Sequence, residues 1–181
     1  EGDYFSCVPY LLGEGQAMQY AFLARKRKRS RVPRLPLRPP DDYLREAMAK
    51  TLQEQDVEFD ITLQLQTDSH RMPIENNAVY WPPRLSPRVP AAVLHIPKQT
   101  FDSPEQLDFA RILTYNPWHS VPEHRPLGNQ SRARKRMYYE LSRLRQGKND
   151  VEHYEPTGDE EFPGSPAPDR ERSAASPGMK K

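Results

Sequence analysis

Arg134 and Tyr138 have the types and the spacing for metal-ligand chemistry. They are four apart in the run SRARKRMYYELSRLR, so on a helix the guanidinium stands one turn from the phenol on the same face. A phenol ionises near pH ~10, so a phenolate at pH 7 must be stabilised by roughly 4 kcal/mol. Bonding to ferric iron supplies much of this. A fixed arginine beside the oxygen adds to it, because an opposite charge and a donated hydrogen bond both favour the anion. Arg145, seven residues beyond Tyr138, is two turns further along and within reach of a ligand carboxylate, which a guanidinium binds through two parallel N–H donors. Lys135 and Tyr139 repeat the four-residue spacing one position on, so Tyr139 stands as the alternative ligand.

Other reactive residue types point to less. His119 and His124, with Glu123 beside the second, belong to no HExxH helix and have no third ligand at a recognisable spacing. His70, His95 and His153 are isolated in sequence and expected to make structural hydrogen bonds. There is no glycine-rich phosphate loop, and residue types alone establish no Ser/His/Asp triad. Cys7 is the one cysteine. It has no second thiol for an internal disulfide, which fits a reducing compartment, and it is expected to be a small buried hydrophobe.

The elements that must position these groups are legible from periodicity. From Asn129 or Ser131 onward Ala133, Met137, Leu141 and Leu144 lie along one stripe, as in an amphipathic helix. Before it, NPWHSVPEHRPLGN is an ordered loop with a turn at Gly128 and Asn129. Val57, Phe59, Ile61, Leu63 and Leu65 alternate strictly with polar residues, so a strand with one buried face is expected there. Met18, Tyr20 and Phe22 suggest another, and Ala91 to Ile96 a short one ended by Pro97. Asp41 and Asp42 supply N-cap oxygens for a helix to about Gln55, with Leu44, Ala47, Met48 and Leu52 on one face. Between the later strands, Pro73, Pro82, Pro83, Pro87 and Pro90 mark a long surface excursion, in which Trp81 is expected to serve as an anchor, as is Trp118 in the later loop.

Composition limits the rest. Of 181 residues 35% are hydrophobic, 29% charged and 20 are prolines, which leaves little material for a self-sufficient core. The chain opens on Glu1 and at once on Tyr4, Phe5, Val8 and Tyr10, so a truncated start is expected. The sequence contains no run of about 18 apolar residues that could cross a bilayer, and no basic stretch followed by an apolar one in the manner of a signal peptide. The block RKRKRSR from Arg25 to Arg31 has the charge of a nucleic-acid patch. It lacks interleaved aromatics for base stacking and runs into VPRLPLRPP, so it reads as an extended surface connection with no specific nucleic-acid role. Beyond Asn149 the proline- and serine-rich composition predicts a disordered tail over 149–181.

The word NPWHSVPEHRPLGN followed by Arg134, Tyr138 and Arg145 resembles the carboxyl-side part of a catalase haem domain, in its shorter, divergent catalase-like peroxidase form. Residues 1–148 are covered by that resemblance, which implies an α+β fold: an incomplete, mostly antiparallel β-barrel with flanking helices and a carboxyl-side helix bearing the ligand. It further implies haem b, with Tyr138 as iron ligand, Arg134 hydrogen-bonded to it and Arg145 near a propionate. The implied activity is on hydrogen peroxide or organic hydroperoxides. Ser142 stands where the family pattern has histidine. The distal catalytic residues of the family come from regions before those in this chain, so none is assigned here, and the missing amino-terminal portion is the implied partner. A cytoplasmic protein able to form a homo-oligomer is expected. The alternative is an interaction module that keeps the scaffold without catalysis.

Overall fold

The computed structural model describes residues 2–25, 40–154, 156 and 160–162. The basic block from residue 26 on, and residues 155, 157–159 and 163–181 of the tail, lie outside the described residues.

The alternating pattern forms the centre of one sheet. Strand β3 (Ala17–Ala24) pairs antiparallel with β4 (Val57–Leu65) from Met18 opposite Leu65 to Ala24 opposite Phe59. On the far side of β4 lies β5 (Val89–Ile96), also antiparallel. Two short strands, β1 (Tyr4–Phe5) and β2 (Tyr10–Leu11), share the other edge of β3. The break between them is closed by Ser6, whose amide donates to the Tyr20 carbonyl at 3.0 Å and whose hydroxyl accepts the Tyr20 amide at 3.2 Å. The sheet is open, with β5 at one end. With helices α1 (Tyr43–Glu54), α2 (Pro104–Ile112) and α3 (Gly128–Lys148) the described residues form the expected α+β architecture, an incomplete barrel of antiparallel strands. Strand β5 starts two residues earlier than the periodicity indicates and takes in Pro90 beside a register shift at Ile61/Thr62; an outer strand tolerates the lost donor.

The register sorts the side chains onto two faces. Tyr4, Tyr10, Met18, Tyr20, Phe22, Phe59, Ile61, Leu63 and Leu65 share one of them, and aromatic rings line it: Tyr10 against Tyr20 at 5.0 Å between centroids, Tyr20 against Phe22 at 5.6 Å. Helix α1 covers one end, burying Leu52 with Val57 and Phe59. Toward β2 the aromatic face stays half-open, with Tyr20, Phe22, Ile61 and Leu63 only partly buried. The opposite face carries Ala17 and Gln64. The proline-rich excursion folds over it: Met72 and Trp81 are buried against Ala17, and the Gln64 side-chain amide donates to the carbonyls of Trp81 at 3.0 Å and Ser86 at 2.9 Å. Burying a primary amide is tolerated because its hydrogens are matched.

Two local expectations need correction, and one element went unread. Asp42 occupies the N-cap of α1 but makes no side-chain cap bond; its carboxylate pairs with Arg45 at 3.0 Å. Cys7 is exposed, because the chain between β1 and β2 turns Val8 and Pro9 inward and leaves the thiol on the outside. Helix α2 went unread in the sequence, although Ser103 and Gln106 form a reciprocal capping box with Pro104 in the first turn.

Candidate functional site

The site is built on α3, and the loop before that helix is fixed to the sheet. Leu127 N donates to Pro9 O at 2.9 Å, Leu11 N to Arg125 O at 2.9 Å and Gly13 N to Glu123 O at 3.1 Å, so the loop runs beside β2, with Tyr10 bridged to Pro126. The turn into the helix requires Gly128: its φ is +86°, and a Cβ there would meet the Ile74 carbonyl oxygen at 3.1 Å. Leu127 at the N-cap has no side-chain acceptor to offer. Glu75 supplies one from another loop, accepting the Asn129 amide at 2.7 Å and lying 3.6 Å from Arg132. Trp118 donates its indole N–H to Ser131 O at 2.9 Å.

The far end of α3 is tied to the end of α2. Gln146 donates to Ile112 O at 2.7 Å and Thr114 Oγ1 at 3.1 Å, and its carbonyl oxygen lies 2.7 Å from His153 Nδ1. The buried residues of α3 are therefore Gly128, Ser131, Ser142 and Gln146. The expected packing stripe is the other way out: Met137, Leu141 and Leu144 are each more than half exposed, at 55%, 57% and 55%, and Ala133 is exposed too. Small and polar residues let the helix backbone approach its neighbours, which apolar periodicity alone does not reveal.

Within α3 the Arg134–Tyr138 pair is formed. Arg134 Nη2 donates to the Tyr138 hydroxyl at 3.2 Å, and the guanidinium carbon lies 5.3 Å from the ring centroid. Every other lysine and arginine of α3 is exposed; Arg134 alone is half-buried. The Tyr138 hydroxyl, helped by Tyr10 and Cys7 nearby, holds the Arg134 guanidinium protonated even more firmly than usual. The competing pair is not formed. Lys135 instead lies 4.7 Å over the Trp118 ring, while Tyr139 accepts from Arg143 at 3.0 Å and stacks edge-on to His153. Arg145 donates to Leu113 O at 2.6 Å. Ser142 is buried and donates to Tyr139 O at 2.8 Å. Among the described residues no group of three or more His, Cys, Asp or Glu side chains is placed to hold a metal ion.

Tyr10 is the site neighbour that sequence reasoning missed. Burial and the adjacent Tyr20 push its phenol well above the usual tyrosine range, while the Arg134 charge acts in the opposite direction. Its only sequence signal is a place in the apolar opening stretch.

Solved structures with a similar fold include two catalases. A fungal catalase matches with a TM-score of 0.60 and 14% identity, over 81% of this chain and 31% of its own. A bacterial catalase matches with a TM-score of 0.61 and 16% identity, over 81% of this chain and 30% of its own. The fold is catalase-like. This catalase-like chain spans under a third of the length of either of those catalases. No protein-family model and no curated protein matches the sequence. No described helix of the catalase-like fold is long and apolar enough to cross a membrane.

Proposed function

We propose that this chain is the proximal part of a haem-dependent, catalase-like oxidoreductase acting on hydrogen peroxide or organic hydroperoxides, with Tyr138 as the iron ligand. The observation that carries the reading is the 3.2 Å hydrogen bond from Arg134 to the Tyr138 hydroxyl, on the carboxyl-side helix of a catalase-like fold. The donor set suits the group. A phenol oxygen that already accepts from a guanidinium is prepared to carry negative charge toward a ferric ion. The half-open aromatic face beside Tyr10 offers the apolar surface that a flat macrocycle needs.

Haem b, when bound, would supply the iron redox chemistry that breaks the peroxide O–O bond. Tyr138 would bind the iron as its phenolate, and Arg134 would hold that oxygen anionic and aim it. Arg145 uses a donor on Leu113 O, and its remaining N–H groups are available for a propionate. Proton handling on the peroxide side belongs to residues outside this chain, so the partner is the amino-terminal portion of the same protein.

The test is addition of haem to the chain. A high-spin ferric spectrum that Tyr138→Phe alters strongly and Tyr139→Phe leaves alone supports the assignment; a spectrum indifferent to Tyr138→Phe removes it. A second reading, an interaction module without catalysis, is favoured by the exposed Met137, Leu141 and Leu144 and by the exposed Val89, Val93 and Leu94 of β5. Failure of haem to bind even after the chain is joined to its amino-terminal portion would favour that module.

A further inference from the structure

We infer that the outward face of α3 is a docking surface for an anionic lipid bilayer, on which the helix lies flat with Met137, Leu141 and Leu144 entering the headgroup region. The inference goes beyond the haem reading and does not depend on it.

Three observations carry it. First, Met137, Leu141 and Leu144, spaced by four and three, share one side of the helix, and each is more than half exposed. Ser131, Ser142 and Gln146, the buried residues along α3, lie on the far side, so the apolar ridge faces outward. Second, cations border that ridge. Arg136 and Arg143 follow it along one flank and Lys148 stands at its end, all of them exposed. Third, charge is concentrated here: α3 holds seven lysines and arginines against one acid, Glu140, in a chain whose net charge is only +2.

Charge complementarity selects the occupant. A second copy of the same face would bring like charge against like, which disfavours self-association. A helical partner needs an apolar seam sustained over several heptads, and this ridge covers about two turns. A nucleic acid would neutralise the arginines and leave the three apolar side chains with nothing to meet. A bilayer containing acidic lipid satisfies both halves of the surface. Its potential attracts the cations, and the acyl boundary takes up the apolar side chains, while the arginine and lysine stems lie along it with their charges among the phosphates.

The experiment sediments the full chain, without haem, with vesicles of phosphatidylcholine alone and of an equal mixture of phosphatidylcholine and phosphatidylserine. Binding to the mixed vesicles is expected, with none to phosphatidylcholine alone and with release as salt is raised. Leu144→Glu is expected to weaken it about tenfold or more, and Arg136→Gln about fivefold, the effect of one cation near an acidic surface. Both side chains are exposed, and circular dichroism checks that the variants fold. Met137→Trp adds an indole whose fluorescence brominated lipid is expected to quench, which reads whether the ridge itself enters the bilayer. Failure to bind the mixed vesicles would overturn the inference. So would binding that Leu144→Glu leaves unchanged, since that is the charge attraction any polyanion, nucleic acid included, produces. Haem is absent throughout, so these outcomes are read separately from those that decide on Tyr138.

Discussion

The carboxylate of Glu75 lies 2.7 Å from the amide nitrogen of Asn129, closing the first turn of α3 from a loop 54 residues earlier in the chain. The helix has no capping side chain of its own, so its start depends on this long-range acceptor. Glu75→Ala is expected to cost about 1 kcal/mol, the usual size of a lost cap, and Glu75→Gln less, since an oxygen acceptor remains. Urea unfolding measures both.

Two glycines of α3 should respond in opposite senses. Gly128 has φ +86° and its missing Cβ faces Ile74 O at 3.1 Å. Gly128→Ala therefore combines backbone strain with a clash and is expected to destabilise by more than about 1 kcal/mol. Gly147, near the other end of the helix, has nothing within 4 Å of a built Cβ, so Gly147→Ala is expected to stabilise by about 0.5 kcal/mol through helix propensity alone. Melting temperatures of the two variants, taken side by side, check the signs.

Replacing Arg134 tests whether the guanidinium matters for charge or for shape. Arg134→Ala removes a charge-assisted hydrogen bond, and haem affinity is expected to fall about tenfold. Arg134→Lys keeps the charge without the planar fork and is expected to recover only part of it. Spectrophotometric haem titration of the three proteins separates these cases; equal affinities would count against Arg134.

Stability should decline at both ends of the pH scale, for different residues. The Asp68 carboxyl is held below its ordinary value by the Arg71 and His70 amides, which donate to it at 3.0 and 2.9 Å. A depressed folded value means that its contribution is complete above about pH 4, the unfolded value, and is lost as pH falls through the folded one. Asp68→Asn is expected to flatten that acid limb. Tyr10 has the opposite sign: burial raises its folded value. Its contribution is intact below about pH 10 and disappears as pH rises through the folded value, so Tyr10→Phe is expected to flatten the alkaline limb. Urea midpoints across pH measure both.

Much of the sheet was legible because its information is local. The alternation of Val57 to Leu65 identifies β4 as a strand but not its single buried side: Val57 and Phe59 are buried on the apolar side, Thr62 and Gln64 on the polar side, where the proline-rich excursion covers Gln64, while Ile61, Leu63 and Leu65 are only half-buried. The helix from Asp42 was legible in extent, within a residue at each end, but of its expected apolar face Leu52 alone is buried, while Leu44, Ala47 and Met48 are exposed. Strands β1 and β2 were not, since two residues each carry no period and exist only through pairing with β3. At the candidate site, four-residue spacing predicted that Arg134 and Tyr138 would meet, but equally that Lys135 and Tyr139 would. Only the first pair is formed; Lys135 lies instead on the Trp118 ring, a contact across 17 residues that spacing does not contain. The inverted burial of α3 was hidden because Glu75, Trp118 and Thr114 hold it through polar atoms, and hydrophobic periodicity does not register them.

Helix α3 is gripped at its first turn by Glu75 and Trp118 and at its last by Ile112 and Thr114, while residues 135–141 between them are exposed. A rod clamped at both tips answers a load at midspan by flexing, not by sliding or turning. Tyr138 sits at that midspan, so a group held by the proposed ligand oxygen would load the bare middle of a helix that is fastened only at its tips.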